Sequence, residues 1–276
     1  MDDVITARYG SDEDALRSED VPLLTGAGEF VDDLSVDGQA HGVFVRAPVA
    51  HGELRGVDAS AALDMPGVLA VVTGRDVKDA GLGDIPPVIS FPGRDGMEMA
   101  AAPKPVLAYE KVRHAGEAVA LVVAETAAQA ADAAEAVELD IAELPAVPRV
   151  ADALADGAPQ VWDSAPGNLA FDWTHGDAAA LDDAFAKAEH VASVELLDTR
   201  LAPVSMEPRG GIGEWDPELE RYTLTAATQG VGLVSKVFAG QVFGVDPDKV
   251  RVLTRDVGGG FGMKAHPYPE YAAILF

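Results

Sequence analysis

Asp256 to Lys264 reads DVGGGFGMK, a loop in which Gly258, Gly259, Gly260 and Gly262 surround a single Phe261. Glycine has no Cβ, so such a backbone reaches positive φ and presses its N–H groups close against a ligand. Several N–H groups converging on one point suit an anion or a metal-bound oxo group. A nucleotide is the first ligand to test, and the spacing rejects it. A P-loop needs Ser or Thr after the lysine, but Ala265 follows Lys264 and Met263 precedes it. The dinucleotide fingerprint fails as well, because counting from Gly258 and Gly260 its last glycine falls on Met263. A tight turn closing a strand is the alternative reading of the same glycines.

The rest of the chain sets limits on the chemistry. At 276 residues and 48% hydrophobic content it reads as globular, with a length that favours about two domains. No apolar run approaches the roughly 20 residues that span a bilayer, and the N-terminus is acidic, unlike a signal peptide. The expected location is the cytoplasm. Cysteine is absent, which excludes disulfides, a thiolate zinc site, a cysteine nucleophile and an iron–sulfur cluster held by this chain. His41, His51, His114, His175, His190 and His266 lack the spacing of a metal site and read as structural or surface residues. A net charge of −26 speaks against nucleic acid and anionic membranes as partners.

The elements that must position the loop follow from local pattern. Residues 1–20 read as a flexible acidic arm. Order begins near Val21, with a hairpin expected between GEFVDDL and HGVFVRAPV. Asp58 or Ser60 caps a short helix that Pro66 and Gly67 end, and VLAVVTG follows as a buried strand. Lys78 to Pro105 has no period and reads as a surface excursion. Ala118 to Ala124 is an apolar strand; Thr126 and Gln129 form a capping box opening an alanine-rich helix, and alternating Val137, Leu139 and Ile141 make a half-exposed strand. Residues 146–168, rich in Pro, Ala, Gly and Asp, form the linker. Beyond it come the helix of DDAFAKAEH running into a strand HVASVEL, two strands around DPELER, a helix over GLVSKVFAGQVFG, and the strand KVRVLTRDV that ends at the glycines.

The stretches GEFVDDL, VRHAGEAVALVVAET, SMEPRG, TQG at Thr228 to Gly230 and DVGGGFGMK occur here in the same order as in the large, molybdopterin-binding subunit of the molybdenum hydroxylases. In this the chain resembles, from about Glu19 onward, the xanthine dehydrogenase, aldehyde oxidase and carbon monoxide dehydrogenase family. The resemblance implies an α+β fold: an α/β hammerhead domain over 21–145, then the N-terminal, incomplete part of a molybdopterin-binding domain over 169–276. By matching position, Gln229 looks like the glutamine that hydrogen-bonds an oxo ligand. Phe261 and Gly262 look like the loop residues whose backbone lies against the metal's oxo group and the pterin, with Gly259 and Gly260 giving clearance. Arg209 resembles a family arginine near the cofactor, an internal ion pair being the other reading, and Glu207 is similar to a family residue that is mainly structural.

The resemblance implies molybdenum carried by a molybdopterin, in the cytosine dinucleotide form, with no direct protein ligand to the metal. That fits a chain without cysteine, because the pterin dithiolene holds the metal. It further implies FAD and 2Fe-2S centres on an FAD-binding subunit and an iron–sulfur subunit. The implied reaction oxidises an electron-poor carbon with water as the oxygen source. The base glutamate of the family falls beyond Phe276, in a C-terminal remainder of the large subunit, so no catalytic residue is expected in this segment and it should be inactive alone. Purine-oxidising members have a glutamate directly after the loop lysine. Ala265 stands there, which points toward an aldehyde, heteroaromatic or carbon monoxide type substrate. A non-catalytic remnant or assembly module of the same fold is the competing class.

Overall fold

The computed structural model describes residues 17, 19–199 and 201–276. Most of the arm expected over 1–20 lies outside the described residues. In chain order the elements are α1 (Asp20–Leu24), β1 (His41–Arg46), β2 (Gly52–Asp58), α2 (Ser60–Leu63), β3 (Val68–Thr73), α3 (Gly74–Asp79), β4 (Lys111–Val112), β5 (Ala118–Ala124), α4 (Ala127–Glu135) and β6 (Glu138–Glu143). There follow α5 (Val150–Ala153), α6 (Ala178–Lys187), β7 (Gly211–Asp216), β8 (Arg221–Ala226), α7 (Val231–Val237), β9 (Val250–Leu253) and α8 (Pro269–Ala273). Strands and helices mix as an α+β chain, with three three-stranded sheets among the described residues.

β5 organises the first half. Its AVALVVA sequence is apolar on both faces, so it lies in the middle of the sheet β1-β5-β3, antiparallel to both neighbours. The hairpin expected between GEFVDDL and β1 does not form: Val31–Asp33 is a 3-10 turn, and β1 pairs with β5 from His41↔Ala124 onward. A buried strand offers β1 a full ladder, whereas residues 29–31 are held elsewhere, as described below. β3 is an edge strand with Leu69 exposed, less buried than its sequence suggests. β6 belongs to the second sheet, β4-β2-β6, so the β5, α4, β6 run crosses between two sheets. Ala47, Leu54, Ala108, Val112 and Val119 fill the space where those sheets meet.

Ala130 and Ala133 of α4 are fully buried, the small side chains letting the helix settle closely on the first sheet. Thr126 Oγ1 caps the helix by accepting from Gln129 N at 3.3 Å. The reciprocal half of the box is replaced: Thr126 Oγ1 donates to Gln129 Oε1 at 2.8 Å, because Gln129 is packed beneath Gly67, whose φ is +81°. Thr126→Ala is therefore expected to cost about 1 kcal/mol, the usual loss for an N-cap, read from the denaturant midpoint at unchanged slope.

The second half supplies the site. β7 and β8 form a hairpin in which Asp216 Oδ1 accepts from the N–H of Glu218 and of Leu219, both at 3.0 Å. The chain then crosses through α7, which continues as a π-helical stretch over Phe238–Phe243, and returns as β9 parallel to β8. The strand expected at HVASVEL is absent among the described residues. Val191, Val194, Leu196 and Leu197 are exposed there, and no described strand lies alongside to satisfy the backbone.

The largest core joins the halves. Val77, Ile85, Leu107 and Leu121 from the first pack with Leu224, Val234, Phe238 and Val242 from the second. Gly83 N donates to Val242 O at 2.8 Å across the same seam, and a Cβ on Gly83 would stand 2.0 Å from Gln241 O.

Candidate functional site

The glycine loop leaves β9 and is clamped from three sides. From the N-terminal segment, Glu29 N donates to Asp256 Oδ2 at 2.9 Å, and Asp256 N returns a bond to Glu29 O at 3.1 Å. From the SMEPRG stretch, Glu207 accepts Gly258 N at Oε2 (2.8 Å) while Glu207 N donates to Gly258 O (3.1 Å). Glu207 Oε1 also accepts from Val31 N at 3.3 Å, which is where residues 29–31 are held. From the β8–α7 crossover, Gln229 Oε1 accepts from Gly262 N at 3.1 Å.

The glycines are required at particular places. A Cβ on Gly258 would meet Glu207 Cβ at 2.5 Å, and one on Gly260 would meet Gln229 Cδ and Oε1 at 2.4 Å. Gly259 and Gly262 have φ of +94° and +82°. Phe261 lies between them at φ +49°, a conformation uncommon for a residue with a Cβ, and the residue is 75% exposed. A strained backbone carrying an exposed aromatic ring points to a functional surface.

The loop's donors are the chemical result. Gly258 N and Gly262 N are bound within the protein, whereas no described residue accepts from the N–H of Gly259, Gly260 or Phe261. The Gly262 N–H fixes the Gln229 amide with its oxygen toward the loop, and its NH₂ end has no acceptor among the described residues. Backbone donors without internal acceptors beside a carboxamide can bind oxygen atoms bearing negative charge. Sequence reasoning placed Gln229, Gly259, Gly260, Phe261 and Gly262 together, and the fold does bring them together.

Arg209 is engaged differently. Its guanidinium lies 3.5 Å from Glu270 and over the Tyr268 ring at 3.7 Å. Glu270 also binds Arg46 of β1 at 2.9 Å, so this cluster ties the first half of the chain to α8. Burial pushes the Glu270 carboxyl up, but its own backbone N–H and the charges of Arg209 and Arg46 outweigh that and hold it below its usual 4.5. Burial likewise raises Glu207, and Lys264 with the Gly258 and Val31 N–H groups brings it below the usual value. Buried Tyr271 is pushed up to about 12 and stays protonated. For carboxyls lowered by folding, the stabilisation is complete above the unfolded pKa and disappears as pH falls through the folded one. Stability is thus expected to decline from about pH 4.5 downward. Glu270→Gln should flatten part of that decline in a pH series of denaturant midpoints.

Sequence reasoning missed three supports. Thr228, nearly fully buried, donates from Oγ1 to Lys264 O at 2.9 Å. Lys264 is fully buried with its ammonium on Glu207, and Asp256 pins the N-terminal segment. Their partners lie far away in sequence, so no local spacing announces them.

Fold and loop together describe an α+β chain that presents unengaged backbone donors beside a carboxamide. Over residues 25–145 the sequence matches the family model described as the aldehyde oxidase and xanthine dehydrogenase a/b hammerhead domain. Over residues 161–276 it matches the molybdopterin cofactor-binding domain. The chain belongs to the family of molybdenum hydroxylase large subunits that includes xanthine dehydrogenases, aldehyde oxidases and carbon monoxide dehydrogenases.

The nicotine 6-hydroxylase large subunit of Paenarthrobacter nicotinovorans is 39% identical over 258 residues, covering 92% of this chain and 30% of the relative. The carbon monoxide dehydrogenase large chain of Hydrogenophaga pseudoflava is 35% identical, covering 95% and 32%. Among solved structures, a Cu,Mo-CO dehydrogenase superposes with a TM-score of 0.80 at 31% identity, covering 95% of this chain and 33% of that one. Quinoline 2-oxidoreductase from Pseudomonas putida 86 gives 0.79 at 32%, covering 94% and 32%. The chain spans about a third of the length of these relatives. No helix among the described residues is long and apolar enough to cross a membrane.

Proposed function

We propose that this chain is the part of a molybdenum hydroxylase that receives the molybdenum–molybdopterin cofactor, with a hammerhead domain over 21–145, a linker over 146–168 and cofactor-facing residues Gln229, Gly259, Gly260, Phe261 and Gly262. One observation carries the reading: the N–H groups of Gly259, Gly260 and Phe261 have no acceptor among the described residues, in a loop that is bonded through Gly262 N to Gln229 Oε1. These groups fit oxo and phosphate-like oxygens, and Gly260 leaves room for the carboxamide that a larger residue would displace. When bound, the cofactor supplies the two-electron oxidation of the substrate carbon with oxygen from water. The chain's own part is to hold the cofactor with fixed dipoles, which need no reorganisation as charge develops. Arg209 contributes at one remove, by holding α8 through Glu270.

The finer assignments rest on the relatives. They include a nicotine 6-hydroxylase, a quinoline 2-oxidoreductase and carbon monoxide dehydrogenases. Ala265 after the loop lysine favours an aldehyde, heteroaromatic or carbon monoxide type substrate over a purine, although xanthine dehydrogenase subunits are also among the relatives. The exposed apolar residues Val194, Leu196, Leu197 and Val204 suit contact with the remaining two thirds of a large subunit. FAD and 2Fe-2S subunits complete the electron path in this reading, and the pterin is in its cytosine dinucleotide form. The test is elemental and pterin analysis of the purified complex that contains this chain. About one molybdenum and one pterin per chain is the expected result; a complex with all partners present and neither component would refute the proposal.

A further inference from the structure

Lys264 is the residue on which both walls of the candidate site depend. Its carbonyl accepts from Gln229 N at 3.0 Å and from Thr228 Oγ1 at 2.9 Å, which sets the base of the glutamine wall. Its ammonium is fully buried and bonds Glu207 Oε2 at 2.8 Å. The same Glu207 oxygen accepts from Gly258 N, at the base of the donor row. One residue thus carries the glutamine wall on its backbone and the glycine wall on its side chain, through a single carboxylate.

A buried ion pair is a poor device for stability alone, because apolar side chains of similar volume do as well or better. It is a good device for register, since the charge accepts one geometry and penalises others. Glu207 is fixed in turn by three donors, Val31 N, Gly258 N and Lys264 Nζ. We propose that the Lys264–Glu207 pair is a positioning pair, setting the separation between the Gln229 carboxamide and the N–H row of Gly259, Gly260 and Phe261, and so the affinity for the cofactor. This rests on the reading of the site given under Proposed function.

The test uses the complete assembled complex with two variants. Glu207→Gln keeps the shape but leaves the buried ammonium without its counter-charge. The double variant Glu207→Gln with Lys264→Met removes both charges at nearly constant volume. Thermal midpoint, amide hydrogen exchange of residues 228–230 and 257–264, and molybdenum content are measured for each. The single variant should lower the midpoint, speed exchange in both segments, and weaken molybdenum retention by about 10–100-fold, the usual effect of losing an outer partner of a metal site. The double variant should regain the midpoint but neither slow exchange nor full metal content. A purely structural pair would recover all three together, and that result overturns the proposal. Wild-type complex without molybdenum would refute the cofactor reading separately, while the exchange contrast would still report whether the pair holds the two walls.

Discussion

Phe238→Ala is expected to destabilise the protein by about 3–5 kcal/mol, the cost of removing a buried aromatic side chain from a close-packed core. Phe238 is fully buried and sits in the cluster where the two halves meet, with Phe243 edge-on at 6.5 Å between ring centroids. The cavity cannot collapse readily, because α7 and the π-helical stretch beside it are held by Gly83 N on Val242 O and by Ser235 Oγ on Val250 O. For a chain of this size that loss corresponds to a fall of roughly 6–20 °C in the melting midpoint. The decisive feature is cooperativity: one transition should move as a whole, because residues of both halves line the same cavity. Two separate transitions, with only the later one shifted, would show that the seam is not a shared core.

The sequence made those parts legible whose information is local. The capped helix after β5, the Asp216 turn and the strand leading into the glycines each depend on neighbours within a few residues. Pairing was harder. Nothing within GEFVDDL or HGVFVRAPV shows that β1 prefers β5, because that preference comes from the two apolar faces of a strand more than 70 residues away. The strand expected at HVASVEL shows the opposite limit, since its alternating pattern is present but no described strand stands beside it. At the site, the glycines and Gln229 could be named because both announce themselves by type. Lys264 could not, since in sequence it is only the residue that fails a P-loop, and its role needs Glu207 to be brought across 57 positions of chain. Arg209 was legible as an arginine of consequence, while its pairing with Glu270 required the fold.

Gly260→Ala should separate cofactor holding from folding more cleanly than any change to the core. The added Cβ would lie 2.4 Å from the Gln229 carboxamide, an impossible contact, yet the obstacle is the mobile end of a side chain. Gln229 relieves it by swinging away, so the cost to stability should stay within about 1 kcal/mol. The cost to the site is larger. The bond from Gly262 N to Gln229 Oε1 is lost, the carboxamide moves away from the loop, and the methyl group takes its place against Gly260. Losing one fixed, preorganised donor of this kind costs about 10²–10³ in rate. In the assembled complex we expect activity to fall by that order and molybdenum content to drop with it, at a nearly unchanged melting midpoint. Gly240→Ala is the control, because a Cβ there meets nothing within 4 Å, and alanine in place of helical glycine should leave stability level or raise it by about 0.5–1 kcal/mol. If Gly260→Ala keeps full metal content and a Gly262 amide as slow to exchange as in the wild type, then the carboxamide and the glycine row do not act as one site.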